Sequence, residues 1–223
     1  MNKKRLIIIV VIGGLVLGGL GYYILYGNLK PQPTPESNNT APSTEANKRD
    51  LEPIIKIEPL DDSLSKAPVP NLARPITFPE GMTEDKKKNT EAKIREIIAR
   101  LQKNKYSYED WIELGIYRKS VEDYKGTEEA WEFAGLIKPS SALAFGNLGN
   151  LYGYDIKNQA KAEESYLRAI KNEPKLVYWY VQLAEYYRDI AKDNSKARAI
   201  LERAMSANPE EAEELKKYAE NLR

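Results

Sequence analysis

Apolar and polar positions follow a helical period through the latter part of the chain. "TEAKIREIIARLQ" sets Ile94, Ile97, Ile98 and Leu101 at i, i+3, i+4 and i+7, one apolar stripe on a helix. "AEESYLRAI" puts Ala162, Tyr166, Ala169 and Ile170 on one face, and "ARAILERAM" repeats this with Ala197, Leu201, Ala204 and Met205. Ser107, followed three residues later by Asp110, has the form of a helix start. No stretch from about Thr83 to Arg223 sustains the period-two alternation of a half-buried strand. This region, 83–223, is expected to be one all-α domain.

The start of the chain has a different pattern. Asn2-Lys3-Lys4-Arg5 precedes twenty uncharged residues, Leu6 through Leu25, of which thirteen are Leu, Ile or Val. At about 1.5 Å per residue, roughly 20 residues cross the hydrocarbon layer of a bilayer. Tyr22, Tyr23 and Tyr26 suit the headgroup boundary at the far end. The basic start predicts a cytoplasmic N-terminus with everything after Gly27 exported. The expectation is therefore a bacterial cytoplasmic-membrane protein with a single-pass helix in residues 1–27, residues 6–26 lying in the bilayer. A cleaved signal peptide is the alternative. It needs a shorter apolar core and small residues before the cut, for which Gly19 and Gly21 are the only pair. Gly14 and Gly18 have the Gly-x-x-x-Gly spacing of packed membrane helices, and we read them as glycines tolerated in lipid.

Residues 28–82 form a linker. It opens with "KPQPTPESNNTAPSTEANKRD", too poor in apolar side chains to offset its ordering entropy, so a disordered or polyproline-like tether is expected. Two patches stand out. Ile76 and Phe78 read as an extended strip packed along the folded domain. Ile54, Ile55 and Ile57 read the same way, with a short partner-binding motif over Ile54–Leu60 as the alternative.

Composition removes several kinds of chemistry. The chain has no Cys and no His, which excludes disulfides, thiolate nucleophiles, the Ser-His-Asp triad and ordinary zinc sites. No cofactor and no metal ion is implied. Residues 84–223 hold 25 basic and 25 acidic side chains, so no electrostatic footprint for nucleic acid is expected. No spacing singles out a pair of carboxylates, so a carboxylate-dependent hydrolase is only a remote alternative to a chain that is not an enzyme. No small-molecule substrate is expected either.

Ten of the 13 prolines lie between Pro31 and Pro79; the others are Pro139, Pro174 and Pro209, spaced 35 and 35 residues apart. Superposing these three aligns much else. Trp111, Phe145 and Tyr180 coincide, as do Leu114, Leu148 and Leu183, then Gly115, Gly149 and Ala184, then Arg118, Tyr152 and Tyr187. Trp131, Tyr166 and Leu201 align, followed by Ala134, Ala169 and Ala204. The small residues are expected where two helices approach closely, and each proline should end a helix, because the residue before it is pushed out of the α region. Single extra residues near Asp155–Gln159 and Asp193–Lys196 are expected to lengthen turns.

This pattern resembles the tetratricopeptide repeat, a helical hairpin of about 34 residues. The resemblance covers Tyr108–Pro209 and departs from the family at Arg118 and Thr127, where Tyr and Ala are expected. It implies three hairpins, at about 108–141, 142–176 and 177–211, stacked in a right-handed solenoid. Thr83–Lys103 and "PEEAEELKKYAENLR" would be the capping helices. It further implies a concave groove lined by the first helix of each hairpin. Carried over by alignment, the groove residues are Glu109, Ile112, Ile116 and Lys119; Leu143, Asn147, Asn150 and Tyr154; and Tyr178, Val181, Gln182, Glu185 and Arg188. One subtype of the family clamps a partner's C-terminal carboxylate. Asn147 matches one clamp asparagine, but Ile116, Tyr178 and Gln182 replace the Asn, Lys and Arg of that subtype, so the clamp is expected to be absent. The implied function is a membrane-tethered scaffold that binds a peptide or partner protein, or a secreted form of it if the leader is cleaved.

Overall fold

The computed structural model describes Leu64 and residues 67–221. The apolar run Leu6–Leu25 and the Ile54–Leu60 patch lie outside the described residues. Among those that are described, no helix is long and apolar enough to cross a membrane. The described chain is all-α, with eight α-helices and no strand. They are α1 (Glu84–Lys103), α2 (Tyr108–Ser120), α3 (Tyr124–Ile137), α4 (Ala142–Asn150), α5 (Gln159–Asn172), α6 (Val177–Tyr186), α7 (Asn194–Ala207) and α8 (Ala212–Glu220). Each of α2, α4 and α6 packs against the helix that follows it, and α1 and α8 cover the two ends of the series.

Helix boundaries are set by local chemistry. Thr83, Ser107 and Ser141 cap α1, α2 and α4 by accepting a backbone N–H with the side chain. Asp123, Asn158 and Asp193, each 35 residues after the last, do the same for α3, α5 and α7. The other ends of these three helices also match. Lys138, Glu173 and Asn208 leave the helical region at φ/ψ of −131/80, −133/72 and −135/73, and their N–H groups close on the carbonyls of Ala134, Ala169 and Ala204. Pro139, Pro174 and Pro209 follow directly, as the steric restriction before proline requires.

Glycines set the spacing between helices. A Cβ on Gly115 in α2 would overlap the Trp131 indole of α3, and one on Gly149 in α4 would lie 2.7 Å from the Tyr166 ring of α5. Gly146 stands in the same relation to Trp179 of α6, so glycine also fixes the approach between one pair and the next.

One expectation about the turns is corrected. The extra residues near Asp155–Gln159 and Asp193–Lys196 do not lengthen loops. They are taken up in π-helical turns, Leu151–Ile156 and Tyr187–Ala191, which continue α4 and α6. The first pair closes with Asp123 N–H on the Arg118 carbonyl, five residues back. In the later pairs Asn158 closes on Tyr152 and Asp193 on Tyr187, six back. A left-handed residue precedes each of these caps, namely Glu122, Lys157 and Lys192. Widening the helix by one residue keeps both the cap and the left-handed corner in register.

Arg118 departs from the aligned tyrosines, and the fold supplies the reason. The Tyr152 hydroxyl donates to Glu128 and Glu132 of α3, and the Tyr187 hydroxyl to Glu163 of α5. Lys161 and Lys196 complete the two sites, pairing with Glu128 and Glu163 at 3.0 Å. Arg118 instead holds an extended strap formed by the end of the linker. Its guanidinium, in a side chain only 2% exposed, donates to the carbonyls of Arg74 (3.0 Å) and Pro75 (2.9 Å) and to Asp123 (3.1 Å). Arg74 in turn makes a two-oxygen bond to Glu129 at 3.0 Å. Ile76 and Phe78 are half-buried on this strap. Replacing Arg118 by Met keeps the apolar stem and removes every donor. Stability is expected to fall by about 1–3 kcal/mol, with thermolysin cleavage between Asn71 and Leu72 markedly faster. An unchanged cleavage rate would show that the strap is held by other contacts.

Candidate functional site

The residues aligned as a groove lie on α2, α4 and α6 and on the π-turns that continue α4 and α6, and they differ in accessibility. Ile112 and Val181 are buried, and the Ile112 carbonyl accepts the Trp131 indole N–H at 3.1 Å. The Ile112 side chain is therefore not accessible on the aligned face in the free domain. Ile116, Leu143, Asn150, Tyr154, Tyr178, Gln182 and Arg188 are half-buried, and Glu109 is exposed. Lys119 is tied to Asp155 of the first π-turn at 2.8 Å.

Asn150, Tyr154, Tyr178, Gln182, Glu185 and Arg188 form one cluster around a carboxylate. Glu185 is only 4% exposed. One of its oxygens accepts the Tyr218 hydroxyl of α8 at 2.9 Å, and the other accepts the Gln182 amide at 3.0 Å. Tyr154, Tyr166 and Tyr178 all lie within the electrostatic reach of this carboxylate. Tyr166 is fully buried on α5, and its hydroxyl points at the Asn150 amide without reaching hydrogen-bond geometry. Tyr186 meets Tyr154 edge-on at 6.4 Å and so orients its ring. Arg188 is held by its neighbour Asp189 through two bonds of 2.6 and 2.7 Å. Asn147, one helix over, is 4% exposed, and its Nδ2 has no hydrogen-bond partner among the described residues.

Two members of this cluster were not visible in the sequence. Tyr166 reads correctly as a core residue, but nothing in its spacing shows that its hydroxyl reaches the other face. Tyr218 falls in the C-terminal cap, where no repeat position marks it.

Burial dominates the electrostatics. It pushes the Tyr178 hydroxyl up to about 12 and raises Tyr154 and Tyr218 further, so all three remain protonated at neutral pH. Burial also raises the Glu185 carboxyl above its ordinary 4.5, only partly opposed by Tyr218, Arg188 and Gln182. The cluster offers hydroxyl and amide groups, aromatic faces and one carboxylate in a low-dielectric setting. Among the described residues no group of acidic side chains could hold a metal ion.

A separate cleft of about 380 Å³ lies between α3, α4 and α5, lined by Glu132, Leu136, Phe145, Tyr152, Lys161 and Arg168 among others. None of the aligned groove residues lines it. Its polar groups largely serve the fold: Lys161 and Tyr152 bind Glu128, and the Arg168 guanidinium rests on the Phe145 ring at 3.8 Å.

In comparisons with known proteins, no family model matches the chain and no curated protein is significantly similar to it.

The raised Glu185 carboxyl has a pH signature. Between 4.5 and its raised value the folded chain binds a proton that the unfolded chain has lost, so this group's effect on stability worsens as pH rises through that window. Glu128 has the opposite sign. Burial disfavours its charge, yet bonds from Lys125, Lys161 and Tyr152 prevail and bring it down to about 2, so its contribution is present above 4.5 and lost on acidification. Glu185→Gln is therefore expected to raise the melting temperature by a few degrees at neutral pH and to change it little at pH 4. Melting curves of both proteins across this range check it; a constant offset at every pH would contradict the assignment.

Proposed function

We propose that this chain is a membrane-tethered protein-interaction module of the tetratricopeptide-repeat kind. Residues 6–26 anchor it in a bacterial cytoplasmic membrane with the N-terminus inside. The helical domain stands on the outer side as a short right-handed solenoid of three hairpins between capping helices. It holds a peptide or partner protein across the faces of α2, α4 and α6 and does not transform it.

The observation that carries this reading is the convergence of half-buried aromatic and amide side chains on those faces, beside an orphaned buried donor, Asn147 Nδ2. Native proteins rarely leave such a donor unmatched, and a partner's backbone carbonyl would satisfy it. The 35-residue recurrence of caps and prolines supports the repeat architecture. The uncharged run after a basic start supports the anchor.

Affinity capture from detergent-solubilised membranes, with the intact protein and with Asn147→Ala/Tyr178→Ala, tests the reading. The double variant is expected to lose at least about nine-tenths of captured partner, the loss from one or two hydrogen bonds and an aromatic contact. Its melting temperature should stay close to that of the parent. Full capture by the double variant would refute the groove.

A further inference from the structure

Glu185 is the one strongly buried carboxylate of the cluster, and its two hydrogen bonds come from neutral groups, the Tyr218 hydroxyl and the Gln182 amide. Among the described residues no ammonium or guanidinium lies within ion-pair distance of it. Arg188 makes its ion pair with Asp189 and acts on Glu185 only at longer range, beside the Tyr218 hydroxyl. Elsewhere in the domain the partly buried carboxylates that bind tyrosine hydroxyls do have a cation. Glu128 has Lys125 and Lys161, and Glu163 has Lys196. Glu185 sits on the first helix of its pair, unlike those two glutamates, and accepts its tyrosine hydroxyl with no lysine ion pair beside it.

The surroundings are those in which a cation would be stabilised. The hydroxyls of Tyr154, Tyr166 and Tyr178 are within electrostatic reach of the carboxylate, and tyrosine rings attract ammonium and guanidinium groups that come over their faces. Tyr154 is braced by Tyr186, and Tyr178 meets the Trp179 ring edge-on at 4.6 Å, so both rings are oriented in advance. Tyr154, Tyr178 and Gln182 are half-buried and give access from the solvent side.

Charge decides among ligands. A carboxylate or phosphate would meet Glu185 with like charge, and an apolar side chain would leave its charge uncompensated. An incoming cation gains more than is usual for a buried ion pair, because the carboxylate has already been desolvated in folding. We propose, on the reading of these faces as a partner groove, that Tyr154, Tyr178 and Glu185 form a pocket for a lysine or arginine side chain of an extended partner segment, which also offers a backbone carbonyl to Asn147.

The test uses the full chain in detergent and four pools of fluorescein-labelled nonapeptides. Each pool is randomised except at the central residue, which is Lys, Arg, norleucine or Glu. Anisotropy titrations are expected to give at least about tenfold tighter binding for the Lys and Arg pools, the increment of a charge-assisted hydrogen bond. Glu185→Gln, nearly isosteric and checked by its melting curve, should bring the Lys and Arg pools down to the norleucine level. Tyr154→Leu should weaken the Lys pool several-fold. Free n-butylamine, at concentrations equal to the peptide, should not compete. Equal binding of the norleucine and Lys pools, survival of the preference in Glu185→Gln, or full competition by n-butylamine would each overturn the basic-peptide assignment and leave the groove standing. Failure of every pool to bind would also overturn it, and capture by the Asn147→Ala/Tyr178→Ala variant then decides separately whether the groove exists.

Discussion

The fold depends on aromatic rings seated on glycines. Gly115 receives Trp131, Gly149 receives Tyr166 and Gly146 receives Trp179, each at a distance that leaves no room for a methyl group. The first two contacts close a helix onto its successor; the third sets one pair against the next. A packed interior transmits such constraints, because a ring that cannot sink into its glycine must push a whole helix outward. Position 184, where alanine replaces the aligned glycine, is fully buried, so the third pair uses the next smallest residue for the same purpose. The Gly146 contact with Trp179 thereby fixes the approach of α4, which carries Asn147 and Asn150, to α6, which carries Tyr178 and Glu185.

A second, polar layer crosses the seams between pairs. Glu128 with Tyr152 and Lys161, and Glu163 with Tyr187 and Lys196, are the same device 35 residues apart. Arg118 stands in the corresponding place of the first pair and binds the strap. At the last seam Arg198 stands in the place of Glu128 and Glu163, and a different contact is made: Glu185 of α6 accepts the Tyr218 hydroxyl of α8. One end of the helical series is thus adapted by an arginine, and the other keeps a buried carboxylate whose direct hydrogen bonds come from neutral groups.

Much of this was legible because its causes are local. A proline restricts the residue before it, and an Asp or Asn caps the helix that follows, whatever the tertiary setting. The small residues aligned at Gly115 and Gly149 also stand at close approaches between helices. The π-turns were not legible. An extra residue can be absorbed by a loop or by widening a helix, and the choice depends on whether Tyr152 and Tyr187 keep their bonds across the seam, which is a long-range condition. Ile112, aligned to the groove, is buried, since alignment gives a helix face only to within its neighbours. Arg118 was noticed as a departure, but its partners are 43 and 44 residues away, beyond any spacing rule. Tyr166 and Tyr218 reach the site from helices outside the aligned face.

The most direct test of the ring-on-glycine constraint turns on a sign. Gly146 and Gly149 lie inside a helix, where exchange for Ala ordinarily stabilises by about 1 kcal/mol. Denaturant unfolding of Gly146→Ala and Gly149→Ala should instead show a loss of about 1–3 kcal/mol each, as overpacking predicts. For Gly146→Ala the Trp179 environment should also change in the near-ultraviolet circular dichroism. Stability that rises, with the aromatic spectrum intact, would contradict the packing from which the whole account proceeds.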